Sequence, residues 1–403
     1  MIYIRPGEIV PGWAAFPFVD VLTVIAAIVG AFSLALKPRR IFNLPHDKLV
    51  VVFWALITIS MVTVWMFGMY LAWLDFMPPV FCYFLVRAGV RTPRQMRGVF
   101  YLLIVLNVFL AVNGIIQYHT GIGLGNVEMI ANRIYGTGIF NDPNDLGMTF
   151  VMTIPLVLLV IGRPGSGILL RAAGFAMLLT ILWAMFYTNS RGAVVGLGAA
   201  LTTHAFLKYR RLNAVLMSVV LIAIVAIAAP SRAGQMDYQE ESAQTRIQTW
   251  AEGVAMFRMS PIIGVGYGQF TEYNPQVAHN SFVHTFAELG FLGGMCFVGM
   301  FYWYFKGLKA GLQRNADDRG WRVALTASGV GVLACIWFLS RQYVVVLYVL
   351  LALGACSTTL EGDAGQQSQP NATMRDVLII GSLTVLGIFV VYMSIRTMAV
   401  WSG

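Results

Sequence analysis

A histidine and several arginines stand where polar stretches of this 403-residue sequence meet apolar runs. His279 comes directly before Asn280 and Ser281, and it closes a polar stretch that also holds Arg246 and Arg258. An imidazole accepts or donates a proton near neutral pH, so His279 is a candidate general base. The planar guanidinium group binds phosphate oxygens two at a time. These residue types together predict proton transfer beside a phosphate-bearing substrate.

Arg191 is a third candidate, in the sequence Asn-Ser-Arg-Gly over 189–192 at the mouth of an apolar run. An ionisable side chain at the edge of an apolar layer is costly and needs a partner, which indicates a function. We predict that His279, Arg191 and Arg246 are catalytic. Five polar residues of the two stretches 118–145 and 230–280 are predicted to bind substrate: Arg133, Asn144, Arg258, Asn280 and Tyr267.

Neither a metal site nor a cofactor site is predicted. Asp142 and Asp145 lie in a turn-rich segment, where carboxylates more often cap a helix than hold a metal. We expect Asn144 or Asp145 to cap a helix that begins near Leu146. The glycines of 261–268 allow the backbone to approach another group closely, but they match neither a phosphate-binding loop nor a dinucleotide fingerprint.

The elements that position these residues are apolar. Hydrophobic residues make up 58% and charged residues 11% of the chain, which excludes a soluble domain and predicts transmembrane helices. We predict an all-α polytopic membrane protein, a single helical domain over 1–403. Its roughly twelve spans lie near 14–36, 49–68, 70–87, 98–117, 146–162, 168–188, 192–207, 213–229, 281–305, 322–340, 343–358 and 377–399.

The 27 lysines and arginines are distributed unevenly among the loops. Most fall in alternate loops, which the positive-inside bias assigns to the cytoplasm. This bias accounts for the net charge of +9 without a nucleic-acid partner. Basic residues also follow the first apolar run, at 37–40, so we expect a span there and not a cleaved signal peptide. The basic residues on the other side are all arginine: Arg5, Arg133, Arg191, Arg232, Arg246, Arg258, Arg341 and Arg396.

Two long loops, 118–145 and 230–280, share that external side. Within the second, Ile247, Trp250, Val254 and Phe257 recur at helical spacing and predict an amphipathic helix over 243–259. Ser260 and the proline after it end this helix. Elsewhere, we place the break between the second and third spans near 69–75, and we interpret 358–374 as a polar linker.

Four motifs on this external side, in the same order, resemble the bacterial O-antigen ligase family over roughly residues 100–300. The last of them fits the family pattern His-Asn, nine residues, Gly-x-x-Gly. In chain order they are GIFNDPN over 138–144, SRG over 190–192, Arg246 and Trp250 with PIIGVG over 261–266, and AHNS over 278–281 with Gly290 and Gly293.

The resemblance implies a GT-C-like glycosyltransferase in a Gram-negative inner membrane, with its active site facing the periplasm. Such a ligase moves O-antigen from undecaprenyl diphosphate to a sugar hydroxyl of lipid A–core, and these substrates and membrane lipids are the implied partners. By position, His279 matches the essential histidine of the family, and Arg191 and Arg246 match its essential arginines. We expect single-step inversion without a metal. The span count puts both chain ends outside, whereas family members commonly have both in the cytoplasm.

Two related activities use the same chemistry with another acceptor, namely polysaccharide polymerisation and protein O-oligosaccharide transfer. Polymerases of this group often show Arg, ten residues, Gly in external loops. No glycine stands eleven positions after Arg133, Arg191, Arg232, Arg246 or Arg258, which favours a ligase. A lipid-linked sugar flippase or another transporter would instead carry charged or helix-breaking residues in mid-span, whereas the spans here are nearly free of charge, with Asp75 and Glu288 as the main candidates for exceptions.

Overall fold

The chain is described by a computed structural model. It covers residues 6–10, 12–13, 16–36, 42–130, 132–163, 165–210, 213, 216, 243–314, 319–360 and 371–401. These residues are almost entirely helical or in turns, and their only bridged backbone pairs join Ile122 to Glu128 and Ile130 to Arg133. The helices form two compact units, and each unit is described by itself.

The first unit comprises Met1–Arg39, Ala88–Ser231 and Leu308–Cys335. Its helices are α1 Pro6–Ile9, α2 Phe18–Leu36, α5 Pro93–Thr120, α6 Pro143–Ile161, α7 Ile168–Thr188, α8 Arg191–Tyr209 and α12 Arg319–Ile336. Small residues allow close packing here, because a methyl group on Gly331 would lie 2.9 Å from the Ala200 side chain. The Ser328 hydroxyl donates to the Met152 carbonyl over 2.6 Å, which ties α12 to α6.

The second unit comprises Arg40–Arg87, Arg232–Gly307 and Ile336–Gly403. Two helices run from one unit into the other: α4 Met66–Gly89 and α11 Ser281–Arg314. The remaining helices of this unit are α3 Pro45–Ser60, α9 Ala243–Met259, α10 Phe270–Tyr273, α13 Val345–Thr359 and α14 Met374–Trp401. Asp47 and Arg87 form a buried ion pair at 2.9 Å between α3 and α4.

Six of the described helices are long and apolar enough to cross a membrane. They are Met66–Gly89, Pro93–Thr120, Pro143–Ile161, Ile168–Thr188, Ser281–Leu312 and Met374–Thr397. The expected all-α membrane architecture is therefore confirmed, whereas the count of twelve spans, the GT-C-like class and the single domain stay predictions. The predicted span 213–229 lies outside the described residues apart from 213 and 216.

The predicted break near 69–75 is wrong. Helix α3 ends at Ser60, a 3-10 turn covers Met61–Thr63, and α4 then runs without interruption through 69–75. That segment contains neither glycine nor proline, so its backbone hydrogen bonds continue. At the true break, the Ser60 hydroxyl donates to the carbonyl of Ile57.

The predicted cap of α6 is also wrong. The helix begins at Pro143, and Asp142 precedes it with extended backbone angles. The Asp142 carboxylate accepts the Asn144 amide over 2.6 Å, which satisfies one free amide of the first turn. Proline at the first helical position favours this earlier start, because its ring already holds a helical φ. The Asn144 side chain does not cap the helix, and its oxygen instead accepts a hydrogen bond from Arg133.

Candidate functional site

In the first unit, two of the predicted substrate-binding residues touch each other. The Arg133 guanidinium donates to the Asn144 side-chain oxygen over 2.9 Å and to the Thr188 carbonyl over 2.8 Å. The bond to Thr188 satisfies one of the carbonyls that the end of α7 leaves without a helical partner. These two bonds tie the loop before α6 to the connection between α7 and α8.

Arg191 is the first residue of α8. It stands two positions after Asn189, which ends α7 with a left-handed backbone. The Ser190 hydroxyl caps the helix by accepting the Ala193 amide over 3.3 Å. The Arg191 side chain is exposed. A helix N-terminus carries partial positive charge and free amides, and a guanidinium added there makes the position attractive to an anion.

The start of α6 packs against the same connection. A methyl group built on Gly147 would lie 2.8 Å from the Ala193 side chain and 3.3 Å from that of Ser190. The Ile134 amide donates to the Tyr187 carbonyl over 3.2 Å, which fixes the loop that carries Arg133. The described loop residues therefore hold Arg133 and Asn144 at the turn that leads into Arg191.

In the second unit, the predicted helix over 243–259 is confirmed as α9, which ends at Met259 as expected. Arg246 is half-buried in its first turn. One turn further, Trp250 is buried and its indole N–H donates to the Ala278 carbonyl over 2.9 Å. The apolar face of α9 packs on protein, in a core shared with Val283 of α11 and Val391 of α14.

His279 lies directly after that carbonyl and has a left-handed backbone, with φ of 47°. Apart from glycine, this conformation is adopted mainly by asparagine, aspartate and histidine. The next residue, Asn280, caps the helix that follows, because its side-chain oxygen accepts the amides of Phe282 and Val283 over 2.9 and 3.1 Å. The turn thus holds a half-buried imidazole at the start of α11.

A second connection reaches this turn from the segment after α12. The Ser281 hydroxyl donates to the Leu339 carbonyl over 2.6 Å and accepts the Arg341 amide over 2.8 Å. Arg341 is half-buried. The sequence did not indicate its closeness to His279, although it belongs to the external arginines.

The glycine segment 261–266 packs along a break in α11. Gly290 has a φ of 62° and interrupts the helix, which leaves backbone groups on both sides of it without helical partners. The segment pairs with four of them, since it accepts the amides of Phe291 and Leu292 and donates to the carbonyls of Ala287 and Glu288. The expected close approach of these glycines is therefore an approach to the backbone of α11.

Glu288 stands beside this break and is buried. Its carboxylate receives the Tyr343 hydroxyl over 2.8 Å and the Phe270 amide over 3.1 Å, and it lies 3.0 Å from the ring of His284. The sequence did not indicate this cluster. The available signal was a glutamate inside an apolar run, which requires polar partners.

Two predicted substrate-binding residues occupy different surroundings. The Tyr267 amide donates to the Ser60 hydroxyl over 3.0 Å, and its ring meets that of Tyr343 at 4.8 Å. Burial, with the nearby Asp75 and Glu288 carboxylates, raises the pKa of Tyr267, so its hydroxyl stays protonated at neutral pH. Arg258 is exposed in the last turn of α9.

The predicted catalytic residues therefore belong to both units. Arg246 and His279 lie in the second unit, at elements tied by the bond from Trp250, whereas Arg191 lies in the first. That Arg191 meets the other two stays a prediction. Within the part of the chain that the structure covers, no three His, Cys, Asp or Glu side chains form a group that could hold a metal ion.

Long apolar helices and polar residues gathered at their ends define a membrane protein. Residues 175–298 match a family model described as O-Antigen ligase, and this segment contains Arg191, Arg246, His279 and Gly290. Over these residues, the match confirms the resemblance to the O-antigen ligase family that the motifs showed. No curated protein matches the chain.

Proposed function

We propose that this protein is an O-antigen ligase. It transfers O-antigen polysaccharide from undecaprenyl diphosphate to a sugar hydroxyl of lipid A–core, on the periplasmic face of a Gram-negative inner membrane. The observation that carries this proposal is the ligase-family match over 175–298, because it includes all three predicted catalytic residues. The tied turn at His279 and the anion-attracting start of α8 add support from geometry.

The donor presents a diphosphate leaving group. When the bond between the sugar carbon and the phosphate oxygen breaks, its electron pair stays on that oxygen and negative charge develops. Arg191 and Arg246 stabilise this charge through two-pronged contacts, and electrostatic stabilisation of this kind is commonly the largest catalytic contribution. Arg133 and Asn144, already joined to each other beside α8, contact the donor next to Arg191.

The acceptor presents a sugar hydroxyl. Its oxygen forms the new bond to the sugar carbon while His279 takes its proton, which contributes about 10²–10⁴-fold to the rate. The left-handed turn fixes the backbone from which the imidazole projects, so the base has a defined place when the acceptor arrives. Asn280, buried and used as a helix cap, positions His279. The scheme is a single-step inversion in which arginines, and no metal, neutralise the diphosphate.

A related activity uses the same site with another acceptor. Chain growth on the lipid carrier would make the protein a polysaccharide polymerase, and transfer to a serine or threonine hydroxyl would make it a protein O-oligosaccharyltransferase. The donor, the arginines and the histidine keep their roles in both cases, because only the hydroxyl that attacks is different.

The test is reconstitution of the purified full chain in liposomes with a lipid-linked glycan. Separate reactions receive lipid A–core, a second copy of the lipid-linked glycan, or an acceptor peptide, without added metal or ATP. Glycan on lipid A–core alone is the expected result. Growth on the lipid carrier, or transfer to the peptide, would replace the ligase assignment by one of the related activities.

A further inference from the structure

A basic cavity lies at the end of the first unit opposite to Arg191 along α8. Its volume is about 580 Å³, within the range of small-molecule sites. Four helix ends surround it, those of α5, α6, α8 and α12, and each contributes one cation. These cations are Arg97, Arg163, Lys208 and Arg319. The positive-inside count assigns all four to the cytoplasmic side.

These cations lack carboxylate partners among the described residues. Arg97 and Arg319 donate to the carbonyls of Pro93 and Leu207 over 3.2 and 3.1 Å, and Arg163 donates to the Tyr101 hydroxyl over 3.4 Å. No described residue that lines the cavity is acidic. The described part of the lining therefore combines several positive charges with no negative charge.

Two buried polar side chains also line this cavity without hydrogen-bond partners. His204 is 6% exposed, and neither of its ring nitrogens is bonded within the described structure. Trp321 is equally buried, and its indole N–H is unbonded as well. Buried polar atoms are nearly always paired, so the Trp321 N–H and the one N–H of a neutral His204 ring point to a bound group that supplies acceptors.

An apolar cleft adjoins the cavity. It has a volume of about 60 Å³ and shares Tyr101 and Val160 with the cavity. The rest of its lining comes from α5, α6 and α7, including the exposed side chains of Val105 and Leu170. A ligand with a charged head and an apolar chain fits both spaces, whereas a free anion fits only the cavity.

We propose that this cavity binds the phosphate head group of an anionic phospholipid, with the first carbons of one acyl chain lying in the adjoining cleft. Basic pockets between membrane helices on the cytoplasmic side recognise such head groups. The cations meet the phosphodiester at the cavity entrance, while His204 and Trp321 donate to its oxygens from the buried wall. This site is separate from the proposed catalytic residues and requires none of them.

Native mass spectrometry of the purified full chain tests the proposal by measuring the affinity for added lipid. Dioleoyl phosphatidylglycerol should bind more tightly than dioleoyl phosphatidylcholine. Arg163→Gln should weaken phosphatidylglycerol binding about five-fold. The matched control is Arg171→Gln, which removes an exposed charge from the same predicted side but does not line the cavity, and it should leave affinity unchanged.

Two further measurements are needed. One distinguishes a lipid ligand from a soluble anion, and the other distinguishes a loss of binding from a loss of folding. Ala173→Phe, in the cleft, should weaken the binding of phosphatidylglycerol and leave the binding of glycerol 3-phosphate unchanged. The melting temperatures of the lipid-free variants should equal that of the wild type. Equal binding of the two phospholipids, or equal losses in Arg163→Gln and Arg171→Gln, would overturn the site. Glycerol 3-phosphate binding as tight as that of phosphatidylglycerol would overturn the lipid assignment.

Discussion

The indole N–H of Trp250 donates to the carbonyl oxygen of Ala278 over 2.9 Å. This bond joins the helix that carries Arg246 to the turn that carries His279. Both groups of the bond are buried, so water does not compete for it.

Trp250→Phe should separate these residues while keeping an aromatic ring in the core. The Ala278 carbonyl then loses its partner, at a cost of about 1–3 kcal/mol in the free energy of unfolding. We expect transfer activity to fall by about ten-fold or more, because misplacement of a catalytic group is costly. Trp337→Phe, in the same core, is the control and should retain activity. Wild-type activity in Trp250→Phe would show that the bond does not position the site.

Two glycine substitutions measure how closely the glycine segment packs on α11. Gly264 and Gly268 both have positive φ, of 76° and 72°. A methyl group on Gly264 would overlap the backbone of Glu288, whereas one on Gly268 meets nothing within 4 Å. Gly268→Ala should therefore lower the free energy of unfolding by only about 1–2 kcal/mol, the cost of a left-handed backbone in a residue with a side chain. Gly264→Ala should cost clearly more, and equal melting temperatures of the two variants would contradict the close packing.

The hydrogen bond from Tyr343 to Glu288 predicts a stability effect. Tyr343→Phe keeps the ring but leaves one oxygen of a buried carboxylate unsatisfied, so thermal unfolding should show a loss of about 1.5–3 kcal/mol. Tyr392→Phe is the control, because that tyrosine is exposed on α14 and should be neutral. An unchanged melting temperature in Tyr343→Phe would mean that the bond contributes nothing.

Arg246→Lys tests whether the site requires a guanidinium or only a positive charge. Lysine keeps the charge but cannot contact two phosphate oxygens in one plane, so we expect transfer activity to fall about 10²-fold or more. Arg191→Lys should behave in the same way if both arginines hold the diphosphate. Arg375→Lys, exposed at the start of α14, is the matched control. Full activity in Arg246→Lys would show that Arg246 contributes only its positive charge.

Local patterns predicted the helices well, since helical spacing of apolar residues is a short-range property. The spacing from Ile247 to Phe257 predicted α9, and Ser260 with the proline after it predicted its end at Met259. The predicted break was misplaced because the end of α3 depends on the Ser60 hydroxyl. This hydroxyl caps the helix and also accepts the amide of Tyr267, which is far along the chain. Asn144 was misjudged for a similar reason, since Arg133 binds its side chain.

The residue types of the candidate site could be predicted from the sequence, whereas the hydrogen bonds that position them could not. His279 and the arginines stood out because charge is costly beside apolar runs. The bonds from Ser281 to Leu339 and from Tyr343 to Glu288 join residues more than fifty positions apart. No local pattern encodes such pairings, because they depend on how the helices pack.

The most direct test of the central claim is transfer of glycan to lipid A–core by the His279→Asn variant in liposomes. Asparagine tolerates the left-handed backbone at φ of 47° but cannot act as a base, so the turn should survive while the chemistry is lost. We predict a normal melting temperature, retained binding of the lipid-linked donor, and a transfer rate lower by about 10²–10⁴-fold. A wild-type transfer rate in this variant would remove His279 from the mechanism.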